Sequence, residues 1–189
     1  MLGVKRAPAA VRGLIGGDER VLAWAGPRDE PERYAVATNR GLWWPGEKPR
    51  LMPWHLINKV VWSDGVLAVT EADVDDDLLL IDQPTETLRL DDPQPITPRR
   101  EPPAPVVGDP AKLAKIIRQR VEGSVAQTQL VRLGEGAARV VARKVSGTDG
   151  WAWWARLEPG TPDTASVRAT LAALIARLRA DDAARRAGL

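Results

Sequence analysis

Between residues 18 and 92, short apolar or alternating runs are separated by turn signals, the pattern of a strand-rich region. Arg20–Ala25 and Arg33–Thr38 read as paired strands across the loop Gly26–Glu32. Asn39-Arg40-Gly41 is a turn, since Asn and Gly tolerate positive φ. Leu42–Trp44 follows and stops at Pro45-Gly46. In Trp54–Trp62, positions 54, 56, 60 and 62 are apolar and share one face of a long strand. Ser63-Asp64-Gly65 turns the chain into Val66–Thr70, and Leu78–Ile81 and Thr87–Leu90 complete the set. About seven closely spaced strands predict a bent antiparallel sheet, sandwich or barrel.

The pattern then changes. Prolines at 93, 95, 98, 102, 103, 105 and 110 remove backbone donors and favour extended geometry, so 93–109 reads as a stiff connector. Asp109 as N-cap and Pro110 at the first helical position open a helix with the stripe Leu113, Ile116, Ile117 and Val121, ended by Gly123. Strands follow over 125–133, 137–145 and 151–158, the first two joined by Gly134-Glu135-Gly136. Thr161-Pro162 begins a last helix striped by Val167, Leu171, Leu174, Ile175 and Leu178. The expected organisation is α+β. A helical lead-in (1–17, with Val11, Leu14 and Ile15 on one side) precedes a β domain (18–92) and the connector (93–109). An α-β-β-β-α module (110–182) and a solvated tail (183–189) complete it.

Composition narrows the class without naming an activity. The 189 residues suffice for at least one real core, and 28% charged with 44% apolar residues is ordinary globular usage. There is no cysteine, which excludes disulfides and thiolate metal sites. Pro8, Arg12 and glycines 13, 16 and 17 interrupt the N-terminal segment, so it does not read as a signal peptide. No run approaches the roughly 18 apolar residues that span a bilayer. A soluble, cytoplasmic protein is expected. Arginine outnumbers lysine 21 to 6, a bias that points to a GC-rich genome.

Three segments carry a family resemblance. Gly17-Asp18-Glu19-Arg20-Val21-Leu22 precedes the first strand, Ala37-Thr38-Asn39-Arg40-Gly41-Leu42 forms a hairpin, and Leu51-Met52-Pro53-Trp54-His55-Leu56-Ile57 leads into a long strand. Together they resemble the bacterial pleckstrin-homology-like (PH-like) domains over about residues 18–92, or to 122 if the following helix caps that fold. The resemblance implies a seven-stranded bent sheet used for binding rather than catalysis. Lipid-binding members need clustered bases in the first hairpin loop. Here that loop is Arg28-Asp29-Glu30-Pro31-Glu32-Arg33, whose acids repel a phosphate, so phosphoinositide binding is not expected.

Two tryptophan doublets stand out, Trp43-Trp44 and Trp153-Trp154, each on a predicted strand. Neighbouring strand residues point to opposite faces, so each doublet places an indole on both sides of its sheet. Each ring brings roughly 150–250 Å² that needs cover. That cover is internal, or it is a partner protein at an exposed patch, or single-stranded nucleic acid stacks there. The four rings are the protein-interface candidates.

Residues 1–100 hold 13 Lys/Arg against 16 Asp/Glu, whereas residues 101–189 hold 14 against 9. Arg139, Arg143 and Lys144 on one basic strand are the nucleic-acid candidates. The module shares its element order with double-stranded-RNA-binding domains. It has Thr161-Pro162-Asp163-Thr164-Ala165, with an acid and no lysine, where those present a basic cluster. The acids Glu71, Asp73, Asp75, Asp76 and Asp77 lack the glycine and glutamate of a calcium loop, Leu78 and Pro84 standing there instead, so a solvated loop is expected over 71–77, with weak divalent-ion binding as the alternative. His55 is the only histidine and has no triad context, and no phosphate loop or dinucleotide fingerprint is present. The reading is a non-catalytic protein-binding or scaffolding module without cofactor or metal. The alternative is a nucleic-acid-associated protein.

Overall fold

The computed structural model describes residues 12–13, 15–27, 30, 33–90, 106–148 and 150–188. Val11 and Leu14 of the expected lead-in, positions 28, 29, 31 and 32 of the first hairpin loop, and positions 93–105 of the connector lie outside the described residues. In chain order the elements are β1 (Val21–Pro27), β2 (Ala35–Thr38), β3 (Gly41–Trp44), β4 (Arg50–Pro53), β5 (Ile57–Ser63), β6 (Val66–Asp75) and β7 (Leu79–Asp82). There follow β8 (Glu86–Arg89), β9 (Val106–Gly108), α1 (Pro110–Ser124), β10 (Val125–Arg132), β11 (Ala137–Lys144), β12 (Trp151–Leu157) and α2 (Ala165–Arg186). The protein is α+β, as the pattern predicts.

Two compact units divide it: residues 1–71 with 84–122, and residues 72–83 with 123–189. The sequence pattern instead places the division within 93–109. The difference has two causes. The end of β6 pairs with β7, and β7 pairs with β12 of the C-terminal sheet. Leu113 and Ile117 of α1, both at 0% exposure, belong to the core of the first unit.

In the first unit, β1 to β4 form an antiparallel meander with β9 added outside β1. β5, the start of β6 and β8 form a second antiparallel group. Ala23, Ala37, Leu42, Met52, Ile57, Leu67, Leu113 and Ile117 meet in one core, so residues from both groups and the helix seal it. Each fully buried Leu or Ile there contributes about 1.5–3 kcal/mol. Gly108 passes from β9 to α1 at φ 91°, where an added Cβ would strike the Trp24 carbonyl. Asp109 Oδ1 then accepts from Lys112 N at 2.9 Å, the N-cap read from sequence.

β4 and β9 were absent from the pattern because neither alternates cleanly. β4 ends on Pro53, which an outer strand tolerates. Trp54 is also not on the β5 face. It sits in a turn over 54–56, and its indole donates to Thr38 O at 3.0 Å.

The second unit is a sheet in the order β10-β11-β12-β7-β6, antiparallel except for β12 with β7. α2 covers one face through Leu171 (0% exposed) and Ile175 (2%), packed on Ala138, Val140, Ala142, Trp153 and Ala155. Residues 183–186 continue α2 and are solvent-exposed. Asp182, 4% exposed, pairs with Arg186 one turn on, and Arg185 and Arg186 complement the helix C-terminus.

Candidate functional site

The three segments that carried the family resemblance converge on Thr38. Its hydroxyl donates to Glu19 Oε1 at 2.5 Å and accepts from the N–H groups of Arg40 and Gly41. Glu19 Oε1 also accepts from Trp43 Nε1 at 3.0 Å, and Arg20 N donates to Asn39 Oδ1. Arg40 pairs with Asp18, while Trp54 Nε1 holds the Thr38 carbonyl. Thr38 is 0% exposed, so these bonds satisfy groups that would otherwise be costly to bury. The motif residues form a latch between strand starts and turns.

Both tryptophan doublets lie on strands, and alternation divides each as expected. Trp44 enters the main core of the first unit, whereas Trp43 lies half-buried on the opposite face with Val36, Tyr34, Trp24, Val21 and Ile15. Trp24 and Tyr34 are tilted rings 5.6 Å apart. Trp153 faces α2, with Trp151 edge-on at 6.4 Å. Trp154 points the other way and is only 6% exposed. The rings of Trp44, Trp153 and Trp154 are enclosed by their own chain and offer almost no area to a partner.

The basic candidates separate. Arg139 is exposed and pairs with Glu158 at 3.1 Å. Arg143 is 6% exposed, and its guanidinium is held below its ordinary pKa by desolvation, with Arg156 adding repulsion and Asp82 partly offsetting it. Lys144 lies one residue on, so its side chain leaves the opposite face. They do not make one phosphate-facing patch.

The segment 71–77 is not all loop, since 71–75 belong to β6; Asp73, Asp76 and Asp77 are exposed, and four of the five acids meet arginines. Glu71 pairs with Arg50, which also pairs with Glu86. Desolvation opposes charge on Arg50, but the bonds to Glu71 and Glu86 outweigh it and raise its pKa. Asp75 and Asp76 meet Arg168 at 2.6 and 3.0 Å, and Asp77 meets Arg179 at 3.0 Å. Asp163 also binds Arg168, whose hydrogen bond holds that carboxyl below its ordinary range. Among the described residues no group of acids and histidine is arranged to hold a metal, and no helix is long and apolar enough to cross a membrane.

What remains open is the outer side of β5. Among the described residues β5 pairs only with β6. The two-residue turn Asp64-Gly65, at φ 50° and 72°, pairs Ser63 with Val66. Alternation of the ladder then directs the backbone N–H and C=O of Trp62 and Val60 away from β6. Facing that edge is α1. Ala111, Ala114, Lys115 and Arg118, spaced along one helical face, line a groove of about 430 Å³ with Val60, Val61 and Trp62. The two alanines keep the wall shallow. Lys115 and Arg118 are exposed on that wall and make it cationic, Arg118 also reaching Glu122 at 3.4 Å. Val61 is 42% exposed.

Sequence reasoning missed this groove. The second helical stripe at 111, 114, 115 and 118 is visible beside the core stripe, but nothing in the pattern sets it against β5. No family model matches the chain, and neither a curated protein nor a solved structure matches it.

Proposed function

We propose that this chain is a non-catalytic, cytoplasmic protein-binding module, its first unit PH-like, that captures an extended acidic segment of another protein by strand addition to β5. The observation that carries the reading is the edge at Val60 and Trp62, unpaired among the described residues, facing the cationic, alanine-lined wall of α1. Main-chain bonds to an edge supply affinity, and pockets for alternate side chains supply selectivity. Lys115 and Arg118 select acidic side chains on the helix side of the bound strand, a steering effect that salt weakens. Apolar residues on the other side would rest on Val61. The nucleic-acid alternative loses its support with the burial of Arg143 and the Arg139–Glu158 pair.

The test is selection of a random 12-residue peptide library on the full chain and on Ala114→Trp, which fills the groove. The proposal expects acidic, alternating peptides from the first and none from the second. Equal selection by both would overturn it.

A further inference from the structure

The second unit has an unguarded edge of its own. β10 pairs only with β11 among the described residues, and it is the outer strand of its sheet. Edge strands are usually protected by lysine, proline or inward charge. β10 reads Val-Ala-Gln-Thr-Gln-Leu-Val-Arg, with no proline, no lysine and one charge, at its end. Six of its eight residues are exposed, including Val125 (38%) and Leu130 (55%). Such an edge must be covered or it becomes a template for a further strand.

The sequence says which strand fits. About Thr128 the regular ladder is symmetric in both directions, Gln127 balancing Gln129, up to the register shift between Val125 and Gln127. The backbone phase agrees. Leu133 N donates to Gly136 O at 3.1 Å, which makes 133 and 136 a hydrogen-bonded pair. Counting back along the register, Thr128 opposite Val141 and Leu130 opposite Arg139 are non-bonded pairs. Their N–H and C=O groups therefore point to the open side.

We propose that two copies of this chain form a two-fold dimer by antiparallel pairing of β10 with β10, centred on Thr128. Thr128 exchanges reciprocal backbone bonds with Thr128 of the second copy. Gln127 faces Gln129 on either side of that centre. The shift in register between Val125 and Gln127 confines the regular pairing to the centre of the strand. An isologous contact of this kind closes on itself and gives a dimer rather than a fibre. The proposal rests on the second unit alone and is independent of the β5 groove.

The chain has no cysteine, so one introduced thiol reports directly. Cα atoms of a hydrogen-bonded antiparallel pair lie about 5.5 Å apart, within the usual disulfide range. Oxidised Thr128→Cys should run as a covalent dimer at twice the 20.6 kDa chain mass, whereas Ser166→Cys on α2 should not. Sedimentation equilibrium of the unmodified chain should give a concentration-dependent dimer. Thr128→Pro, which removes an outward N–H and no bond to β11, should weaken it about a hundredfold, the effect of losing two reciprocal backbone bonds. Circular dichroism checks that this variant folds; if it does not, Thr128→Cys decides alone. A monomeric unmodified chain, or Thr128→Cys that fails to cross-link, overturns the proposal.

Discussion

β5 and β10 are both outer strands, yet they present different surfaces. β5 buries Val60 and Trp62 partly against the first core, carries Lys59 on its exposed face, and runs beside a helix wall. A strand entering there is read on two sides, by an edge and by a cationic helix. β10 has no such wall among its described neighbours and little charge. Only sequence matching along the edge can make it selective. An edge beside a helix suits a foreign segment, while a bare edge with a symmetric sequence suits its own copy.

Breaking the cores tests whether each edge depends on its own unit. Trp153→Ala removes a ring that is 2% exposed and should destabilise the second unit by about 3–5 kcal/mol. Chemical denaturation would measure it, and the β10 dimer should be lost with the fold. Thr38→Val keeps the shape but strands Glu19 and two N–H groups around the latch, costing about 1–3 kcal/mol in the same assay. Dimerisation through β10 should survive that change.

Smaller effects sharpen the comparison at the surface. Reversing charge with Lys115→Glu and Arg118→Glu should weaken a selected acidic peptide about tenfold, by titration calorimetry, while leaving the dimer untouched. Raising salt should narrow that difference. The smallest effect concerns the Arg168 cluster. Asp163 has its pKa lowered by Arg168, so its contribution is complete above the ordinary carboxylate value of about 3.9 and is lost as pH falls through the depressed folded value. Arg168→Ala should therefore melt lower than the unmodified chain at pH 7, with the gap closing below about pH 4.

Much of the fold was legible because alternation and stripes are local. The α1 stripe, the three strands after it and the opposite placement of Trp43 and Trp44 follow from neighbouring residues. The partition into units was not legible, because pairing of β7 with β12 joins Leu79 to Ala155 across a long stretch of sequence. The separation of the basic candidates was hidden for a related reason. Arg143 reads as a surface cation until packing puts it beside Trp154's side of the sheet at 6% exposure. The ion pairs of Asp75, Asp76 and Asp77 were not legible because Arg168 and Arg179, which meet them, lie on α2. The groove needed both problems solved at once, an unpaired strand and the helix that faces it.

Amide chemical-shift mapping of the isotope-labelled full chain with a peptide chosen from the random library is the most direct measurement. Strand addition at β5 predicts large shifts and slowed hydrogen exchange at Val60 and Trp62, with smaller shifts at Ala111, Ala114, Lys115 and Arg118. Shifts confined to other residues, or unchanged exchange at Val60 and Trp62 under saturating peptide, would contradict it.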